Sequence, residues 1–222
     1  MRRRLTALLG IALLAAPLVA RANGDSVAAG PPTVYERFVL SACAPCIRET
    51  YPIASVSVTP PTVPWFPRTA AAPPRPGEIT IEVLRAQQPA RPDWKSLALR
   101  VTLSVTAGPG EVYRLATGLL DGGDVGPLAR AVADMATAPA EPPANPSVGS
   151  VEVDFHGGSL RVGVLHTRNG DVAYVQAGDL MALMQRALWE VPTTLFLPVT
   201  ELPALATALG QAAATIEKAR SN

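Results

Sequence analysis

Two proline-rich runs divide this chain and limit where regular secondary structure can form. Proline lacks a backbone N–H and fixes φ, so neither run can continue a helix or an inner strand. The first run spans 60–76, and the second spans 138–147. The chain is therefore expected to divide into a signal peptide at 1–22, a Pro-rich arm with the cysteines at 23–77, a unit at 78–137, a linker at 138–147 and a second unit at 148–222.

The N-terminal segment has the pattern of a secretory signal peptide. Three arginines at 2–4 precede an apolar run at 5–20, and the tripeptide Ala-Arg-Ala at 20–22 gives the small-x-small pattern of a cleavage site. The apolar run is shorter than the ~20 residues that a transmembrane helix needs. We therefore expect cleavage after Ala22, a secreted or periplasmic protein, and no transmembrane segment in the mature chain.

Removal of this leader changes the charge of the protein. The leader holds four arginines and no acidic residue, so the formal net charge of +1 for the whole chain becomes −3 for residues 23–222. A weakly acidic chain with no basic cluster is a poor match for nucleic acid or an anionic membrane. We expect a protein or small-molecule partner, no nucleic acid, and no cofactor.

Alternation in the second unit predicts an antiparallel meander. Apolar and polar residues alternate over 151–156, the period of a half-buried strand. The glycine pair that follows can close a two-residue hairpin, which would place Phe155 opposite Leu160 and Asp154 opposite Arg161. Apolar then faces apolar, and opposite charges face each other.

A second tight turn at Asn169-Gly170 would complete a three-stranded meander, with Arg168 opposite Asp171. Further elements are expected to follow the meander. They are a helix capped by Asp179 and ended by Pro192, a short outer strand over 194–199, and a last helix capped by Thr200 with Lys218 and Arg220 in its final turn.

The first unit has the same order of predicted elements. Alternating apolar residues predict strands over 79–83 and 97–105, a third strand near 112–115, and a helix capped by Asp124. Two copies of a strand–strand–strand–helix unit are one interpretation. Coincidental likeness between short capped helices after meanders is the other. We predict an α+β fold in which helices cover one face of antiparallel meander sheets.

Cys43 and Cys46 form the one motif in this sequence that suggests a chemical reaction. In an exported protein the pair is expected to form a disulfide. That disulfide can be a structural staple of the arm. The C-x-x-C spacing also allows redox chemistry, because one thiolate can attack the bond formed by the other, and a helix start beneath would favour the thiolate.

Residues 38–49 resemble the active-site strand and turn of the thioredoxin family, and residues 191–197 resemble its cis-proline strand. The resemblance implies a thiol–disulfide oxidoreductase with Cys43 and Cys46 as its catalytic pair. Elsewhere the chain departs from the family. Ala42 stands where tryptophan is usual, and a long stretch of antiparallel strand pattern separates the two matching segments.

Three side chains on one strand face, Glu152, Asp154 and His156, have the arrangement of metal ligands. Arg161 is expected to pair with Asp154, and exposed alternation produces such rows by default, so we predict no metal site. His166 is expected to be a hydrogen-bonded structural histidine near a strand end.

The tryptophans and a phenylalanine beside the proline-rich loops have two interpretations. Trp65, Phe66 and Trp94 could form a recognition surface, or they could anchor the loops to the sheet, which is the interpretation we favour. No acid–base pair, nucleophile triad or phosphate-binding loop is visible in the sequence. The prediction is therefore an exported, non-enzymatic α+β binding or interaction protein of the cell envelope, with the thiol–disulfide oxidoreductase as the alternative.

Overall fold

The computed structural model describes residues 32–61, 76–108, 111–138, 150–168, 170–178 and 193–221. Several predicted features lie outside these ranges. They are the signal peptide, the pair Trp65-Phe66, most of the linker, and the helix expected after Asp179.

The described chain forms two four-stranded antiparallel sheets in which each strand pairs with its neighbour in sequence. The first sheet contains β1 (Ile47–Val58), β2 (Gly77–Gln88), β3 (Arg91–Gly108) and β4 (Glu111–Asp121). The second contains β5 (Ser150–Gly157), β6 (Leu160–Thr167), β7 (Gly170–Ala177) and β8 (Thr193–Leu197). The helices among these residues are α1 (Val34–Ser41), α2 (Val125–Thr137) and α3 (Leu202–Ser221). The predicted α+β class is confirmed.

The two sheets share one hydrophobic core. Ile81 of β2 and Leu103 of β3 are fully buried in the same apolar cluster as Leu197 of β8. Leu128 of α2 and Leu205 of α3 belong to that cluster as well. Burying one such side chain contributes roughly 1.5–3 kcal/mol. Because strands of both sheets and two helices line a common interior, neither sheet has a separate core of this size.

The sequence patterns do not predict α1, which lies in the segment assigned to a Pro-rich arm. The helix begins with a capping box in which Thr33 N donates to Glu36 at 2.6 Å and Glu36 N donates to the Thr33 hydroxyl at 3.2 Å. Asp121, at the end of β4, accepts the N–H groups of Val34 at 2.9 Å and Tyr35 at 3.1 Å. A distant carboxylate thus satisfies the free amides of the helix and fastens it to the first sheet.

The sequence patterns also miss β1, so the first sheet has four strands rather than the three expected. Pro52 interrupts the alternation and is typical of a break in regular structure. The pairing of β1 with β2 nevertheless shifts register between Pro52 and Ala54 and then continues. An outer strand tolerates proline at such a bulge because the missing N–H would face away from the sheet.

The first hairpin of the second sheet differs from its predicted register by two residues. Phe155 faces Val162 rather than Leu160, because the turn is Gly158-Ser159 instead of Gly157-Gly158. Gly158 has φ 56°, in the left-handed region that favours glycine, and the Leu119 carbonyl lies too close to admit a side chain there. Asp154 consequently lies opposite Gly163 and not opposite Arg161.

The next hairpin is displaced from its predicted register by the same amount in the opposite direction. Thr167 pairs with Gly170, so His166 rather than Arg168 faces Asp171. The His166 Nδ1 atom lies 3.2 Å from a carboxylate oxygen of Asp171. A shift by two residues leaves every side chain on its original face of the sheet, so the predicted faces are correct although the cross-strand partners are not.

The helix ends follow the sequence signals only in part. Asp124 occupies the N-cap position of α2, but its side chain makes no capping hydrogen bond. Thr200 does not cap the last helix, because it lies in a 3₁₀ turn (Val199–Glu201) that leads into α3. Lys218 and Arg220 do lie in the final turn of α3. None of the helices in the described ranges is long and apolar enough to cross a membrane.

Candidate functional site

The predicted disulfide between Cys43 and Cys46 is present, with the two Cα atoms 4.8 Å apart. It lies in the turn between the end of α1 and the start of β1. Cys43 is buried in a small apolar cluster with Tyr35, Leu84 and Leu119, which lies apart from the main core. Cys46 is half-buried. The disulfide therefore closes the turn that joins the helix to the first sheet.

The position of the pair relative to α1 opposes thiolate formation. A thiolate is favoured at a helix N-terminus, where the macrodipole is positive. Cys43 instead follows the C-terminal end of α1, where unpaired carbonyls carry partial negative charge. Burial of Cys43 among apolar side chains disfavours the charged form as well.

The local order of elements is also the reverse of the one that the thioredoxin resemblance implies. Here a helix precedes the cysteines and a strand follows them. The second matching segment falls on β8, whose Leu195 and Leu197 lie in the main core, whereas Cys43 belongs to the cluster under α1. Val191 and Pro192 of that segment lie outside the described residues.

A charged cluster lies on the face of the second sheet opposite the core, here called the outer face. The predicted pair forms, with Arg161 Nε donating to Asp154 at 2.5 Å, and a second guanidinium nitrogen lies 3.2 Å from Glu152. The Tyr174 hydroxyl donates to the same Glu152 oxygen at 2.5 Å. The guanidinium carbon lies 5.7 Å from the centre of the Tyr174 ring. These four residues are called the Arg161 cluster.

Glycine at 163 makes room for the Arg161 cluster. A Cβ atom at Gly163 would lie 2.7 Å from the Tyr174 hydroxyl and 2.8 Å from the Asp154 Cβ. The tyrosine ring therefore crosses β6 over this glycine to reach Glu152 on β5. The sequence reasoning missed Tyr174. A glycine inside an alternating strand indicates close approach by another group, and that signal could have pointed to it.

The electrostatics of the cluster keep its tyrosine neutral and its arginine charged. Burial raises the pKa of Tyr174, and its hydrogen bond to the Glu152 carboxylate raises it further. The hydrogen bond to Asp154 raises the pKa of Arg161. One guanidinium therefore faces two carboxylates, and the cluster carries a net negative charge. His156 is exposed and pairs with Arg161 across the hairpin. Within the described ranges, no group of three or more potential ligands is placed to hold a metal.

Strand β5, which carries the two acidic residues, is an outer strand of its sheet and is unusually open. Its first five residues, 150–154, are all exposed. Val151 is 41% exposed and Val153 is 47% exposed, although both lie on the face of the sheet that leads into the core. Val153 pairs with Val164, which is fully buried on the neighbouring strand.

The other outer strands each have a feature that hinders further pairing along part of their length. β1 has the bulge at Pro52. On β4, the Leu119 amide donates to Ser159 Oγ at 2.8 Å and the Leu119 carbonyl accepts the Ser159 amide at 3.1 Å. β8 is five residues long, has no exposed residue, and is followed directly by Pro198. Proline, bulges, short strands, covered edges and charged side chains are the usual protection against strand addition, and of these β5 has only the charges of Glu152 and Asp154. β5 has eight residues, no proline, no lysine and no register shift.

Trp94 lies in β3, three residues after the strand begins and close to the turn that follows β2. Its ring meets Phe38 of α1 edge-on, with the centroids 6.3 Å apart, and the Arg91 guanidinium lies 5.0 Å from the ring. The side chain is nevertheless 45% exposed. Trp94 thus contacts α1 as an anchor would, while much of its surface remains accessible.

The chain matches no protein-family model and no curated protein. Among solved structures it is similar to the plant transcriptional regulator PBF-2, with 10% sequence identity and a TM-score of 0.36. The match covers 78% of this chain and 84% of that chain. A likeness at this level carries no argument about fold or function.

Proposed function

We propose that this chain is an exported, non-enzymatic α+β protein of the cell envelope that acts by binding a partner along strand β5. The observation that carries the proposal is the open edge of β5, where five consecutive residues are exposed and two of them are valines. An outer strand with exposed valines and with neither proline nor a bulge stays open to pairing, and its two carboxylates select against an acidic partner strand. Addition of a strand to such an edge is a common mode of peptide recognition.

Export is the second part of the proposal. The leader pattern at 1–22 supports it, and so does the disulfide, because such bonds persist in oxidising compartments. The test is expression of the full chain with a C-terminal tag in a bacterial host, followed by fractionation and N-terminal sequencing. The expected product is extracytoplasmic and begins at Asn23. A chain that retains Met1 and stays in the cytosol would contradict the proposal.

The docking role of β5 is tested in the same exported chain. A photo-cross-linking amino acid is placed at position 153, and a matched one is placed at 115, since Leu115 is 59% exposed on β4. We expect adducts from position 153 and none from position 115. Equal adducts from both positions, or none from either, would argue against a specific site at β5.

In this proposal the disulfide is a structural cross-link that resists reduction in the folded protein. The oxidoreductase alternative predicts that it can be reduced there. A redox pair must be reducible in the folded protein, so mild dithiothreitol followed by alkylation would label both cysteines. We expect Cys43 to resist labelling until the protein is denatured, because it is buried. Labelling of both thiols in the native state, together with turnover of a disulfide substrate, would favour the alternative.

A further inference from the structure

We infer that the partner bound at β5 is an extended segment with basic and apolar side chains at alternate positions, and not a second copy of this chain. The inference rests on the proposed function and adds the chemistry of the partner. It depends on three observations: the two faces that β5 presents, the imbalance of charge in the Arg161 cluster, and the consequence of pairing β5 with itself.

The two faces of β5 differ in chemistry. Successive side chains of a strand point to opposite sides of the sheet, and an added strand places its own side chains beside them. On the inner face an added strand would meet Val151 and Val153. On the outer face it would meet Glu152 and Asp154. A complementary segment therefore needs apolar side chains at every second position.

The remaining positions of that segment are specified by charge. Arg161 lies on β6, the strand next to β5, and its guanidinium is shared between the two carboxylates. The side chains of Glu152 and Asp154 keep 40% and 29% of their surface exposed, so the part that faces away from β6 stays accessible to a cation from a new strand. A lysine or arginine opposite each carboxylate would neutralise the excess negative charge. Opposite charges directly across a strand pair are favourable.

Pairing with a second copy is disfavoured because it would bring like charges opposite each other. Two β5 strands can pair in antiparallel fashion in two forms that place both Val151 and Val153 opposite a valine or phenylalanine of the other copy. One form places Glu152 opposite Glu152, and the other places Glu152 opposite Asp154. Like charges directly opposite each other destabilise a strand pair. The carboxylates thus act against self-association at the edge that the valines leave open.

The test uses the exported chain and short fluorescein-labelled peptides. In the first peptide lysine and valine alternate, in the second the same residues are present with the lysines grouped, and in the third glutamate replaces each lysine. Fluorescence anisotropy should show saturable binding of the first peptide, with a Kd at least about tenfold lower than for the grouped one. The acidic peptide should not saturate. Raising the salt to about 1 M, where the Debye length is ~3 Å, should weaken binding of the first peptide.

Matched variants locate the binding. Val153→Lys places a charge on the exposed inner face of β5 and should weaken binding at least about tenfold. Leu115→Lys makes the same change at an exposed residue of β4 and should leave the Kd unchanged. Circular dichroism and thermal melting establish that both variants fold. Amide hydrogen exchange should slow over residues 150–154 when the alternating peptide binds.

The outcomes separate this inference from the proposed function. Equal binding of the alternating, grouped and acidic peptides would overturn the inference. Sedimentation at twice the chain mass that is abolished by Val153→Lys would overturn it in favour of a second copy, while leaving β5 as the docking edge. Failure of every peptide alongside specific cross-linking from position 153 would overturn the inference alone. Failure of both experiments would overturn the proposed function as well.

Discussion

The two sheets have the same number of strands and the same strand order, yet their edge strands and outer faces differ in how far they are covered. In the first sheet, the outer face carries α1 at one end, held by Asp121 and closed by the disulfide at Cys43. Its outer strands are hindered from further pairing by the bulge at Pro52 and by the hydrogen bonds that Leu119 exchanges with Ser159. In the second sheet, the outer face carries the Arg161 cluster, and β5 is open. The first sheet thus has a covered outer face and hindered edges, whereas the second leaves β5 exposed at the edge where we propose that a partner binds.

The two sheets share one core, and breaking that core should give the largest effect. Ile81→Ala in β2 and Leu197→Ala in β8 each leave a cavity in the same apolar cluster. Each substitution should lower the free energy of unfolding by about 2–5 kcal/mol. Both variants should unfold in one cooperative transition, measured by urea denaturation with circular dichroism and tryptophan fluorescence. Separate transitions for the two probes would contradict a shared core.

The packing of the second sheet's outer face is tested by Gly163→Ala. The added methyl group would meet the Tyr174 hydroxyl and the Asp154 Cβ at less than normal contact distance. We expect a loss of about 1–3 kcal/mol in the free energy of unfolding, because overpacking forces the ring or the strand to move. Gly123→Ala is the matched control, since nothing lies within 4 Å of a Cβ there. Equal effects at both positions would mean that the ring does not occupy this space.

The attachment of α1 to the first sheet is tested by Asp121→Ala. The substitution removes the acceptor for the amides of Val34 and Tyr35, so the helix start loses its long-range cap. The expected loss is about 0.5–2 kcal/mol, measured by thermal or urea unfolding. Asp124→Ala provides the control, because the Asp124 side chain makes no capping hydrogen bond to α2. A larger effect from Asp124→Ala than from Asp121→Ala would reverse the assignment.

The smallest effect is expected from Tyr174→Phe, which removes one hydrogen bond to Glu152. Because the Glu152 side chain is 40% exposed, water can replace the lost donor, so the loss at neutral pH should be about 0.5–1.5 kcal/mol, below the ~1.5–3 kcal/mol of a buried bond to a charged group. Because burial raises the pKa of Tyr174 in the folded state, the folded protein holds this proton more tightly than the unfolded chain does. The stabilisation is complete below the ordinary tyrosine pKa of about 10 and declines at higher pH. The wild-type protein should therefore lose stability above pH 10 more steeply than the variant, in urea titrations over that range.

Alternation along the chain was sufficient to place strands in both sheets and to assign their faces. It did not place the turns. The choice between two glycine-containing turns at 157–159 depends on Ser159, whose hydrogen bonds reach Leu119 in the other sheet. A contact between residues distant in sequence has no local signature, so the predicted partners were displaced by two positions.

The missed elements have comparable causes. Pro52 is typical of a strand breaker, although an outer strand tolerates it. The cap from Asp121 to α1 joins residues 87 positions apart and is invisible locally. The sequence Thr33-x-x-Glu36, however, is a capping box and could have predicted the start of α1. At the candidate site, alternation indicated the Asp154–Arg161 pair. The role of Tyr174 and the openness of β5 depend on the assembled sheet.

The hydrogen bonds of Ser159 determine where force goes if a segment paired along β5 is pulled. Tension on that segment, directed along the strand, would have to shear its row of hydrogen bonds together instead of peeling them one by one. The turn between β5 and β6 contains Ser159, which exchanges hydrogen bonds with Leu119 of the first sheet. The Ser159 carbonyl also accepts the Gly178 amide. Force entering at the edge would therefore be transmitted to both sheets instead of acting on the hairpin alone.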